Sequence, residues 1–162
     1  MVGHRCGGRQ DKVVGLLLAC DNVDIDSEGH SLFRAIEGGH VEVVKLLLDK
    51  GVGVKYPHAF VVASSGGHVA IVKLLLEKGA DANSQGNFGN ALSSASSGGH
   101  EAIVKLLLEK GADINSQGVF HSNALTAASS RGQEAIVKLL LEKGADVNSL
   151  WHCASCSVIR RS

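Results

Sequence analysis

The sequence predicts an all-α solenoid of stacked helix-turn-helix units, about four full repeats preceded by a partial one. Three observations carry that prediction. A twelve-residue pattern recurs at His40 to Gly51, His68 to Gly79, His100 to Gly111 and Gln133 to Gly144, with a degenerate copy from Gln10 to Asp21. The glycines ahead of the full copies are Gly39, Gly67, Gly99 and Gly132, in steps of 28, 32 and 33 residues. Periods near 33 belong to stacked helical repeats, in which each unit leaves an apolar face for its neighbour to bury. The composition agrees. Twenty glycines against a single proline, with 4% aromatics, suit a fold punctuated at regular intervals and packed through small and aliphatic side chains.

Within each copy the apolar residues fall at helical spacing, as Ile103, Val104, Leu107 and Leu108 do, while Glu101, Lys105 and Glu109 stand four apart on the other side. This is an amphipathic second helix. The closing glycine stands where a helix ends in a left-handed residue, and Asn22 takes that place in the first copy. Ahead of each block runs a shorter segment with small residues on one side: Ser31-Leu32 with Ala35, Ala59-Phe60 with Ala63, Ala91-Leu92 with Ala95, and Ala124-Leu125 with Ala128. Alanine lets two helices approach closely, so these are short first helices packed antiparallel to the second. Polar, glycine-containing links such as Asn83 to Asn90 and Asn115 to Asn123 join one pair to the next.

The chain then divides into a partial N-terminal repeat at 1–22 with a second helix only, repeats at 23–53, 54–81, 82–113 and 114–148, and a divergent tail at 149–162. The repeat at 54–81 is short, and distortion is expected around Gly53 to His58, where Pro57 occurs. Val13, Val14, Leu16 and Leu17 lack a cover on one side. The chain is therefore expected to be a monomer or part of a longer array.

Sixteen basic and sixteen acidic residues leave no field to hold a phosphate backbone, which argues against nucleic acid. No run approaches the roughly 20 apolar residues of a membrane span. Cys6, Cys20, Cys153 and Cys156 sit at the two ends with none between, unlike a disulfide-stapled secreted domain, so an intracellular setting, cytoplasmic or nuclear, is expected. Arg5, Arg9 and Lys12 ahead of Val13 to Cys20 resemble a signal peptide ending in Leu-Leu-Ala-Cys. The same apolar pattern recurs deep inside the chain, which favours a repeat helix instead.

No catalytic constellation, cofactor or metal is expected. His40, His68 and His100 recur at one position, but a repeat-width separates them, too far for ligands near 2 Å from one ion. They are expected to cap or brace the loops before the second helices. His152-Cys153-Ala154-Ser155-Cys156 offers a Cys-x-x-Cys with an adjacent histidine, yet no second cysteine pair lies near it in sequence. A decayed or truncated further repeat is the plainer reading. Gly7-Gly8 and Ser64-Ser65-Gly66-Gly67 are followed by no Gly-Lys-Ser/Thr, and Ser94, Ser96, Ser97, Ser129 and Ser130 sit in no nucleophile elbow.

Residues 99 to 115, Gly-His-Glu-Ala-Ile-Val-Lys-Leu-Leu-Leu-Glu-Lys-Gly-Ala-Asp-Ile-Asn, resemble the second helix and outgoing turn of an ankyrin repeat, and the resemblance spans roughly residues 9 to 148. Gly89-Asn90-Ala91-Leu92 resembles the opening of ankyrin arrays from filamentous fungi, often found at the C-terminal end of large intracellular nucleotide-binding receptors. No copy holds the family's Thr-Pro-Leu-His in full, which puts its ties between neighbours in doubt. The resemblance implies a non-catalytic scaffold for protein–protein interaction, gripping an unidentified partner with turn tips and first helices on the concave side. The alternative is an enzyme or accessory factor that binds a small molecule in the same groove.

Tyr56, Phe88 and Phe120 each fall three or four residues before a first helix, and so form a column along the turn tips. They are either partner anchors or rings folded back on their own turns. Arg34, Val61, Ser93 and Thr126 are expected to face outward on the first helices and continue that surface, with Trp151 extending it. The second-helix face, with Glu101, Lys105, Glu134 and Lys138, reads as solvated surface.

Overall fold

The computed structural model describes residues 30–51, 57–86, 89–118 and 123–148. Four antiparallel helix pairs fill them: α1 (His30–Glu37) with α2 (Val41–Asp49), α3 (Pro57–Ser65) with α4 (Val69–Glu77), α5 (Ala91–Gly98) with α6 (Glu101–Glu109), and α7 (Ala124–Ser130) with α8 (Glu134–Glu142). Each first helix packs on its own second helix and on the first helix of the next pair. Successive second helices pack likewise, so the stack has two layers. The partial N-terminal repeat, Tyr56, Phe88, Phe120 and the cysteine-bearing tail lie outside the described residues.

The apolar rows explain the layering. Each second helix turns a run such as Ile103, Val104 and Leu107 into the core and leaves Glu101, Lys105 and Glu109 exposed. First helices contribute Leu32, Phe60, Leu92 and Leu125 at one position and Ala35, Ala63, Ala95 and Ala128 three residues on, all buried. Alanine serves twice there. It allows close approach, and its carbonyl accepts the backbone N–H that opens the next helix, from His40, His68, His100 and Gln133 at 2.9 to 3.0 Å. Pro57 begins α3, where its missing N–H costs nothing. Gly111 (φ 83°) closes the turn after α6 in the left-handed region that favours glycine.

Two kinds of asparagine make side-chain hydrogen bonds at the helix starts and in the turns. Asn90 and Asn123 are buried N-caps of α5 and α7, their side-chain oxygens accepting from Ser93 N at 2.7 Å and Thr126 N at 2.9 Å. Asn90 also reaches into the following turn, where its Nδ2 donates to the Ser116 carbonyl at 3.2 Å. Before this cap, β1 (Gln85–Gly86) and β2 (Gly89–Asn90) pair antiparallel in the register Gln85↔Asn90 and Gly86↔Gly89.

In the turns, Asp81, Asp113 and Asp146 each accept the N–H two residues on, from Asn83, Asn115 and Asn148, all at 2.9 Å. The first two of those asparagines tie the turns together. Asp113 N donates to Asn83 Oδ1 at 2.8 Å and Asp146 N to Asn115 Oδ1 at 2.9 Å, while Asn83 Nδ2 donates to the Gly111 carbonyl at 3.3 Å.

Asn115→Ala removes one such tie, and urea unfolding should show a loss of about 1 kcal/mol, with faster exchange of the Asp146 amide in hydrogen-exchange NMR. Two buried hydroxyls show the reverse case. Ser96 Oγ and Thr126 Oγ1 have no hydrogen-bond partner, and a buried unsatisfied group costs about 1–3 kcal/mol. Ser96→Ala and Thr126→Val are therefore expected to leave stability unchanged or raise it by about 1 kcal/mol in the same urea experiment.

Candidate partner-binding surface

The first-helix side is where the frame varies. Counting back six residues from His40, His68, His100 and Gln133 reaches Arg34, Val62, Ser94 and Ala127. Arg34 is exposed and the other three are half-buried, so these four form the outward row. The expectation that Val61, Ser93 and Thr126 face outward is corrected: all three are buried, at 2, 5 and 2% exposure. They lie seven residues before the block rather than six, and that single step, about 100° around a helix, turns them inward. In the structure Ser93 and Thr126 sit beside the capping asparagines, and Ser93 Oγ donates to the Asn90 carbonyl at 3.1 Å. Arg34 alone of the four predicted positions stands fully exposed, where its guanidinium pairs with Glu37 at 3.3 Å.

A cavity of about 240 Å³ opens across α1, α3 and α5, lined by Glu37, Val61, Val62, Ser65, His68 and Ser94 together with Gly66. Its floor is apolar where valines meet and its rim is polar. On the second-helix side one exposed row is constant. Lys45, Lys73, Lys105 and Lys138 recur at one position and are all exposed, and Glu101 pairs with Lys105 at 2.6 Å. That hydrogen bond with Glu101 raises the Lys105 pKa.

The repeated histidines belong to the frame. His40, His68 and His100 hold the N-cap position of the second helices without a side-chain capping bond, so their work is bracing rather than capping. Each ring lies over the first glycine of its own Gly-Gly pair, at Gly38, Gly66 and Gly98, and the rings of His68 and His100 also reach the second glycine of the preceding repeat, Gly39 and Gly67. A Cβ on Gly67 would come within 2.6 Å of the His100 ring. His100 Nε2 donates to the Ser65 carbonyl at 2.9 Å, which fixes the proton on that nitrogen because a carbonyl only accepts. Where Gln133 replaces histidine, the first glycine of the pair is replaced too, by Arg131. The paired glycines ahead of each histidine were the sequence signal for this contact. Among the described residues, no group of three or more His, Cys, Asp or Glu side chains could hold a metal ion.

A family profile for ankyrin repeats, in three copies, matches residues 59–150, more than half of the chain. The chain belongs to the ankyrin-repeat family. The match covers three of the four described helix pairs. In this ankyrin chain Asn83, Asn90, Asn115 and His100 make side-chain hydrogen bonds between repeats among the described residues. No curated protein matches the chain. Among the described residues no helix is long and apolar enough to cross a membrane.

Gly67 (φ 75°) combines left-handed backbone with ring contact. Gly67→Ala should cost about 1–2 kcal/mol from the backbone alone and more from the clash, and His100→Ala should relieve the second part in a double-mutant cycle. A further tie between repeats is ionic. Lys78 Nζ lies 2.7 Å from Asp49 Oδ1, and this hydrogen bond holds the Asp49 carboxyl below its ordinary pKa. A depressed carboxyl pKa stabilises the fold at neutral pH, an effect lost as pH falls through the folded-state value. Lys78→Ala should raise the Asp49 pKa toward the ordinary carboxylate range in an NMR titration, and added salt should shrink the difference because both groups are exposed.

Proposed function

We propose that the chain is a non-catalytic interaction scaffold that binds a partner protein along its first-helix side and the adjoining turn tips. Ankyrin repeats are generally protein–protein interaction modules, and the family is generally non-catalytic. One observation carries the reading for this chain. The outward first-helix row changes from Arg34 to Val62, Ser94 and Ala127, while the outward second-helix lysine is kept in all four pairs. A variable row on a constant frame is how a repeat scaffold acquires a particular partner.

Within this proposal Arg34, Val62 and Ser94 touch the partner directly, and Val61, Ser93 and Thr126 support that row from behind. Tyr56, Phe88 and Phe120 serve as aromatic anchors at the tips, since large rings flanked by small polar residues concentrate binding energy. The resemblance to fungal arrays supports a place within a larger intracellular recognition or regulatory protein. The alternative is a small molecule held in the same groove, where the described cavity of about 240 Å³ is smaller than the roughly 300–1,000 Å³ of ordinary ligand sites.

The test is affinity capture with crosslinking from a native extract, run with three variants. Phe88→Ala with Phe120→Ala, and Val62→Arg with Ser94→Arg, should each lose the specific partner by tenfold or more, with circular dichroism and melting nearly unchanged. Lys105→Ala with Lys138→Ala should retain it. Equal loss in the second-helix variant, or no loss in the first two, would count against the proposal.

A further inference from the structure

The cavity across α1, α3 and α5 is divided chemically along its length. Val61, buried, and Val62, half-buried, make its floor, and Glu37, Ser65, His68 and Ser94 stand around it. Among the described residues that line it, Glu37 is the only carboxylate and there is no lysine or arginine. Glu37 is also the last residue of α1, and Ser65 the last residue of α3. The C-terminal end of a helix carries up to about half an elementary charge, negative, on its outward carbonyls. Two helix ends and a carboxylate therefore bring negative potential to one side of an apolar floor.

This combination occurs once in the described stack. Counting back three residues from His40, His68, His100 and Gln133 gives Glu37, Ser65, Ser97 and Ser130, so the acid belongs to the first described pair alone. The valines belong to the second, since Ser93 and Ser94, then Thr126 and Ala127, take the places of Val61 and Val62. Arg34 already touches Glu37, its Nη1 donating to Oε2 at 3.3 Å, but both side chains are exposed and such a pair is weak. A carboxylate has about four acceptor sites on its two oxygens, so a second cation can join without displacing Arg34.

We propose that this cavity receives an arginine or lysine side chain of the partner protein, its aliphatic stem on Val61 and Val62 and its charged head on Glu37. The inference rests on the reading of the first-helix side as the partner-binding one. Long basic side chains are apolar along the stem and charged at the tip, the same division that the cavity shows. A wholly aliphatic side chain would cover Glu37 without replacing the water it loses. A carboxylate would meet Glu37 and two negative helix ends. The volume of about 240 Å³ lies below the roughly 300–1,000 Å³ of sites for whole ligands and suits one side chain.

NMR titration of the full chain with short peptides tests this. The peptides share blocked glycine flanks and differ only in a central arginine, norleucine or glutamate. The arginine peptide should shift the Val62 and Ser94 amides and bind about tenfold more tightly than the norleucine peptide, and the glutamate peptide should leave those amides in place. Glu37→Gln should lower arginine binding to the norleucine level, while Glu42→Gln on the exposed side of α2 should not. Equal affinity for arginine and norleucine overturns the proposal. So does an arginine peptide that leaves the cavity amides unmoved, or a Glu37→Gln chain that binds it like the wild type. The peptide comparison needs no variant and decides the matter even if Glu37→Gln does not fold. Failed partner capture beside a positive titration counts against the scaffold reading alone, and successful capture beside a negative titration counts against this inference alone.

Discussion

At two of the three described repeat boundaries a histidine ring fills the space between the glycines of successive repeats. A ring fits there only because Gly38, Gly66 and Gly98 lack side chains under it, and Gly39 and Gly67 lack them across the repeat boundary. Beside it the alanine rows of the first helices meet, the second-helix aliphatics interlock, and Asn83 reaches the next aspartate; at the last described boundary Asn115 does the same with Gln133 in place of the ring. The hydrogen bond from His100 to the Ser65 carbonyl adds direction to what is otherwise a fit of shapes. The substitution at the last described boundary follows the same logic, since Gln133 has no ring and Arg131 then stands where glycine was required.

Most of the frame was legible from the sequence because repetition reports on burial four times over. A periodic aliphatic row, an alanine three residues after each leucine or phenylalanine, and a glycine at each helix end have one joint solution. The side-chain ties were harder to see. Asn83 and Asn115 look like ordinary turn residues, and only the folded spacing shows that each oxygen reaches an amide in the next turn. On the first helices Arg34 stands outward as the sequence predicts, whereas Val61, Ser93 and Thr126 are one residue off. Ser93 and Thr126 sit inward beside the buried caps Asn90 and Asn123, and Val61 sits inward at the same position. Burial across the repeats, with Val61 in the same place as Ser93, separates the inward position from the outward one.

The same comparison divides the chain's residues by what they answer to. Residues that touch a neighbouring repeat are held to type by packing, as Ile103 and Ile136 or Ala95 and Ala128 are. Residues on the outward first-helix row are less tightly held, with Arg34 paired to Glu37 and Val62 only partly buried against the core, and there the side chains change in size, charge and polarity from one repeat to the next. The scaffold is accordingly rigid in its architecture and permissive along one strip of its surface.

The identity of α6 and α8 has a consequence for how such a chain changes over generations. A unit whose core-forming helix is a copy of its neighbour's can be duplicated or lost in a single genetic event, and the new junction reproduces a contact that already works. Length then becomes a heritable variable nearly independent of fold. Each added unit also brings one more outward first-helix position, so that face can grow by recombination faster than by point mutation.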